Sequence, residues 1–174
     1  MGPIDIQPNR IRVGQNERRY ANEVTTELRD EDEFVGAEFD LITSEDKSSE
    51  DSVFHTGFDF SLINLEGNKV LSGAGVGIVN RYRSVHSGAG YKGQMYGVVN
   101  MTDRKSTGMM LGAINVSSSM FHGHRMGLIN VGSSDGVTIG LINFANMNSG
   151  DVLGNTFGLI NIAEMFIGSQ FSLI

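Results

Sequence analysis

Two histidines flank one glycine at His122-Gly123-His124, and His55 and His86 complete the four in the chain. In an extended segment residues i and i+2 share a face, so His122 and His124 point the same way. A zinc site takes three or four ligands, and no carboxylate stands beside this pair at ligand spacing. The histidines therefore read as ordinary exposed side chains, and no metal is expected. The chain has no Cys, which excludes thiolate ligands, a thiol nucleophile and disulfides. Beyond residue 51 the carboxylates are Asp59, Glu66, Asp103, Asp135, Asp151 and Glu164, scattered about one per repeat. A glycosidase pair needs two carboxylates held ~5–10 Å apart in a cleft. No Gly-x-Ser-x-Gly elbow or phosphate loop ending in Gly-Lys-Ser/Thr is present either. No catalytic residue is assigned, no cofactor is expected, and the chain reads as non-enzymatic.

Two charged segments remain. Asp30-Glu31-Asp32-Glu33 lacks the alternating order of a calcium loop and reads as a solvated run. The stretch from Arg81 to Lys92 holds Arg81, Tyr82, Arg83, Tyr91 and Lys92, and Arg104, Lys105 and Arg125 extend its positive charge. Tyr and Arg both offer a flat face with a polar tip. The 81–92 loop is thus the candidate site for a glycan or protein ligand. Nucleic acid is not an expected partner at a net charge of −7.

The elements that would carry these residues divide at about residue 51. Residues 1–51 hold 6 Lys/Arg and 14 Asp/Glu but 3 of the 23 Gly. They form an acidic leader in which 44–51 reads as a linker. Tyr20, Val24 and Leu28 are spaced for a short helix over 16–30, while Val24, Thr26 and Leu28 also alternate as a strand would. Residues 52–174 form a Gly-rich repeat domain. Seven segments there read Gly-x-x-x-(Gly/Ser)-apolar-(Ile/Val)-Asn, ending at Asn64, Asn80, Asn100, Asn115, Asn130, Asn143 and Asn161. Numbering each unit 1 to 8, position 5 is Ser61 and then Gly77, Gly97, Gly112, Gly127, Gly140 and Gly158. An eighth copy begins at Gly168, and a degenerate one begins at Gly36. The distance between successive Asn varies from 13 to 20 residues, and the variation falls in turn-forming segments after the Asn.

Short, Gly-rich segments full of Ile, Val, Leu and Phe are strands rather than helices. The chain is therefore all-β, a repeat array of about eight to nine short strands. In a parallel β-solenoid the Asn residues stack and bond amide to amide. In an antiparallel meander or small barrel, the alternative, they would alternate between ends and gain nothing. Recurrence of the Asn favours the solenoid. Strict alternation places positions 4 and 6 in the core beside the Asn, with the glycines and the Ile/Val at position 7 opposite. That second apolar face calls for cover by another chain, the leader or lipid.

Segments such as Gly136-Val137-Thr138-Ile139-Gly140-Leu141-Ile142-Asn143 and Gly154-Asn155-Thr156-Phe157-Gly158-Leu159-Ile160-Asn161 resemble the bacterial surface-repeat lipoproteins, built from tandem Gly-Leu-Gln-Ile-Gly-Leu-Val-Asn units. The likeness covers roughly residues 54–174. It implies export and a cell-surface setting, with a cytoplasmic location as the alternative, and it supplies no catalytic residues. This chain has no lipobox Cys. The expected function is a structural or adhesive surface or fibre module that forms a homo-oligomer, a trimer among the forms. A monomeric binding module or secreted effector working through the 81–92 loop is the alternative. Bilayer insertion is not expected, because a spanning strand needs ~9–11 residues of suitable pattern.

Overall fold

The computed structural model describes residues 4–7, 10–19, 31–45, 53–67, 69–83, 91–103, 105–145, 152–163 and 166–173. These residues form fifteen strands and no helix. The leader contributes β1 (Ile4–Gln7), β2 (Arg10–Arg19) and β3 (Glu31–Glu45). In the array, β4 (Val53–Gly67) is followed by β5 (Lys69–Val76) and β6 (Val79–Arg83). The next coils pair β7 (Lys92–Tyr96) with β8 (Val99–Thr102), and β9 (Ser106–Leu111) with β10 (Ile114–Ser117). Then come β11 (Phe121–Met126) and β12 (Ile129–Val131), followed by β13 (Val137–Ala145), β14 (Val152–Ala163) and β15 (Phe166–Phe171).

The array is a parallel β-solenoid. One arm stacks β3-β4-β5-β7-β9-β11-β13-β14-β15, and the other stacks β4-β6-β8-β10-β12-β13-β14. Each coil thus holds two arms joined at a corner at positions 5 and 6, which is why there are more strands than repeats. In β3, β4, β13 and β14 the strand runs unbroken through the corner. The register aligns every Asn with the next, from Asn64↔Asn80 to Asn143↔Asn161. Coil length varies only in the turns, so insertions of different size leave the register intact.

The corner corrects the expected sense of the two faces. Along the first arm positions 3 and 5 point inward, so position 4 points out. Positions 6 and 7 then both face outward around the corner, the phase flips, and position 8 returns to the interior. The Asn residues from Asn64 to Asn130 are fully buried, while Leu62, Ile78, Val98, Leu128, Leu141 and Leu159 at position 6 are 41–55% exposed. Apolar positions 4 and 6 are therefore surface, and the interior is a narrow seam of amides, hydroxyls and a few large side chains. Its apolar part is Tyr82, Tyr91, Met95, Met110 and Phe121.

Two glycine columns make that seam possible. At position 1 the backbone adopts positive φ, 135–155° in most coils, and a Cβ on Gly108 would strike the backbone of Gly93 beneath it. At position 5 the obstacle is the Asn itself. A Cβ on Gly140 would lie 2.5 Å from Asn130 Nδ2 and 2.7 Å from Asn143 Oδ1. The amides occupy the space that a side chain at position 5 would need.

The leader does not contain the expected helix over residues 16–19, which end β2; residues 20–30 lie outside the described set. β1 and β3 flank β2 in antiparallel pairing, and β3 then pairs with β4 in parallel, with Gly36 opposite Gly57. The degenerate copy at Gly36 is thus a coil arm stacked on the array. Glu31–Glu33 of the acidic run form the start of β3. The register sets Arg19 opposite Glu31, Arg18 opposite Asp32, Arg12 opposite Glu38 and Arg10 opposite Asp40. Of the expected linker, Ser44 and Glu45 belong to β3, and 46–51 lie outside the described residues.

The packed corner makes a direct prediction. Gly127→Val puts branched carbon within 2.6 Å of Asn115 Nδ2 and should destabilise the protein by about 3 kcal/mol, at the upper end for overpacking. Urea unfolding of this variant and of Gly140→Val measures the cost. Two near-neutral results would show that the corner is loose.

Candidate functional site

The interior seam is built by the Asn side chains. Asn80 Nδ2 donates to Asn100 Oδ1 at 3.0 Å and to the Tyr96 carbonyl of the next coil at 3.0 Å. Asn100 repeats this toward Asn115 and Leu111, Asn115 toward Asn130 and Met126, and Asn130 toward Asn143 and Ile139, at 2.8–3.0 Å. Asn143 donates to Asn161 and the Phe157 carbonyl, and Asn161 ends the run on the Phe171 carbonyl. From Asn80 to Asn143 each amide nitrogen thereby finds acceptors for both of its protons within the stack.

The run begins at Asn80 rather than Asn64. Position 5 of that earlier coil is Ser61, whose Cβ stands where the other coils have none. Ser61 Oγ donates to Asp59 Oδ1 at 3.0 Å, and Asn64 Nδ2 turns to Asp59 Oδ2 at 2.7 Å and to Tyr82 Oη at 2.8 Å. The side-chain oxygens of both Asn64 and Asn80 are left buried without a partner. Asp59 is fully buried in this cluster. Gly75, in the next coil at the position of Asp59, leaves the space that the Tyr82 hydroxyl fills.

This placement takes Tyr82 and Tyr91 out of the expected ligand site on the 81–92 segment. Tyr82 and Tyr91 are 4% and 3% exposed, with ring centroids 4.9 Å apart. They pack against each other inside the coil, and Tyr91 Oη donates to the Gly73 carbonyl at 3.3 Å. Burial pushes the Tyr91 phenol far above its ordinary pKa. Arg81 faces outward and pairs with Asp103 at 3.2 Å, and Lys92 is exposed. Arg83 ends β6 with its side chain outside the described set, as are residues 84–90 with His86. The sequence held one signal for the burial of Tyr82: a glycine at Gly75 inside the coil, where other coils carry Asp, Met, Arg or Thr.

Arg125 belongs to the same correction. Expected at the surface, it is 2% exposed inside the coil. Its Nη1 donates to Ser117 Oγ at 3.1 Å and to the Val131 carbonyl at 2.8 Å, and Nη2 donates to the Gly132 carbonyl at 2.6 Å. Burial holds its pKa down to about 10. The side chain reaches across the seam because Gly132, on the second arm, offers no side chain there. Gly75 with Tyr82 and Arg125 with Gly132 are therefore mirror cases, one large group filling the width that two ordinary ones share.

His122 Nδ1 bonds Asp135 in the next coil, whose other oxygen accepts from the Gly123 amide at 3.1 Å. His124 Nδ1 accepts from the Val137 amide at 3.2 Å. Both histidines point outward from one strand, and among the described residues no three His, Cys, Asp or Glu side chains gather as a metal site.

The outer surface carries the other feature of note. Of the 21 large apolar side chains exposed among the described residues, most lie at positions 4, 6, 7 and 9. Position 6 adds Leu62, Ile78, Val98, Leu128, Leu141 and Leu159 to position 4 with Phe60, Met126, Ile139 and Phe157. Stacked at the ~4.8 Å strand spacing, they make an apolar ridge along the outside of the corner that dips at Ala113 in the coil between Val98 and Leu128. No helix among the described residues is long and apolar enough to cross a membrane.

The fold and this seam define a parallel β-solenoid with an amide core. Comparison with family models, curated proteins and solved structures finds no match for this chain.

If the two tyrosines are core, Tyr82→Ala and Tyr91→Ala should each cost about 3–5 kcal/mol, as large-to-small changes of buried aromatics do. Urea titration followed by circular dichroism tests this. A variant that keeps full stability would return that tyrosine to the surface. Asn115→Ala, which strands a buried partner on each side, should cost about 3 kcal/mol in the same assay.

Proposed function

We propose that this chain is a non-enzymatic structural module that assembles with further copies of itself through the apolar ridge. The observation that carries the reading is the extent of that ridge. Taking about half of the ~150–200 Å² of a large apolar side chain, ten such residues expose on the order of 800–1000 Å². The largest patch on an ordinary monomer is ~300–600 Å², and each partner in a stable interface contributes ~800 Å². A straight row of Leu, Ile, Val and Phe at even spacing can interdigitate with its own copy about a symmetry axis, giving a closed dimer or trimer.

Several points support a structural role over catalysis. Asp59 is committed to Ser61 and Asn64, Asp103 to Arg81, and Asp135 to His122 and the Gly123 amide. The rigidity of the amide stack suits a spacer or scaffold. A cell-surface setting and an adhesive role belong to this reading through the repeat likeness. The net charge of −7 disfavours an anionic lipid surface as the occupant of the ridge.

Absolute molar mass by light scattering tests the proposal. At micromolar concentration the chain should run as a multiple of 18.9 kDa. Leu128→Glu combined with Leu141→Glu should return it to one chain with its circular dichroism unchanged, since both side chains are exposed. A wild-type monomer, whether or not it binds lipid vesicles, would overturn self-assembly.

A further inference from the structure

The outer ridge is not of even height. At position 6 its side chains step down from Leu62 and Ile78 through Val98 to Ala113, then return at once to Leu128, Leu141 and Leu159. Backbone bonds from Ile78 N to the Leu62 carbonyl, Val98 N to the Ile78 carbonyl and Leu128 N to the Ala113 carbonyl, each 2.9 Å, keep them in one row. Ala113 is the smallest member and belongs to the fourth of the seven coils that carry the Asn. The waist of the ridge therefore has three larger residues on either side.

Two twisted rods laid ridge to ridge cross at an angle, so they come closest at one point and diverge from it. A fit needs the smallest side chain at the crossing and larger ones outward. With the crossing at Ala113, antiparallel copies set Ala113 against Ala113, Val98 against Leu128, Ile78 against Leu141 and Leu62 against Leu159. The filled width then grows alike in both directions. Copies aligned in parallel would oppose every residue to itself. Val98 against Val98 on one side of the waist would be narrower than Leu128 against Leu128 on the other.

Charge selects the same arrangement. Strands β1 to β3 of the leader stack at one end of the rod, and residues 1–51 carry 6 Lys/Arg against 14 Asp/Glu, a net of −8. Parallel copies bring two such ends side by side, and a threefold axis brings three; like charges set together at an interface oppose association. Toward the other end, residues 137–174 carry two carboxylates, Asp151 and Glu164, and no Lys or Arg. Antiparallel copies thus set −8 beside −2 instead of beside another −8.

We infer that the occupant of the ridge is one further copy of this chain, running antiparallel about a two-fold axis beside Ala113. This rests on the self-assembly proposed above and narrows it to a dimer. The interface is isologous, and each coil meets the coil equally far beyond the axis.

The chain has no Cys, so single thiols report on the packing. Ile78→Cys and Leu141→Cys, at side chains 50% and 54% exposed, are co-expressed with different tags and treated with a short bifunctional maleimide. The two variants should link to each other, and neither to itself. Ile78→Cys linking to its own copy overturns antiparallel packing while leaving self-assembly intact. So does a light-scattering mass of three chains, or an oligomer in which the two variants form no link. A monomeric wild type overturns both. Ala113→Leu gives a second reading by sedimentation equilibrium, with circular dichroism to confirm the fold. It should weaken the dimer by about tenfold or more, because the added carbons hold the crossing apart. Association that is unchanged or tighter would make the waist a mere gap and overturn the inference.

Discussion

The structure depends on one steric and polar exchange at the corner of each coil: a side chain is given up at position 5 so that an asparagine amide can take its place. The glycine lets the chain bend and leaves a pocket, and the Asn three residues later fills that pocket with a group able to bond along the stack. Neither residue works without the other. Ser61 demonstrates the coupling from inside the same molecule, since a single Cβ there coincides with Asn64 leaving the stack for Asp59 and Tyr82. Buried amides are costly when unsatisfied and cooperative when linked. The solenoid meets that condition for the nitrogens of Asn80 to Asn143 by giving each of them two acceptors.

That exchange also explains what could be read from the sequence. The Gly and Asn columns are visible as a pattern, and recurrence of one amide per coil argues for stacked parallel strands over an antiparallel meander. The direction of the side chains was not visible. Alternation assigns faces correctly only while a strand is continuous, and the corner inserts two successive outward residues. Leu62 and Asn64 therefore part company although they are two apart. Hydrophobicity reinforced the error, because a Leu beside an Asn is ordinarily the one that is buried.

The buried Tyr82, Tyr91 and Arg125 were missed for a related reason. Their burial follows from what stands across the seam, Gly75 for Tyr82 and Gly132 for Arg125, and the partner in each case lies seven residues away on the other arm. Neither a helical nor a strand period links residues at that distance; only the geometry of the corner does. In the leader, the register of β2 on β3 sets Arg18 and Arg19 opposite Asp32 and Glu31, so the acidic run is part of a strand pair.

The amide stack has a direction. Every nitrogen from Asn80 to Asn161 donates toward the C-terminal coils, so the side-chain dipoles add instead of cancelling as strand dipoles largely do. The rod therefore has an electrical head and tail that its two sheets alone would not give it. One end offers the unpartnered oxygen of Asn80, and at the other Asn161 discharges its donor onto a backbone carbonyl. Coils inserted or removed between these ends would lengthen or shorten the polarised row without reversing it.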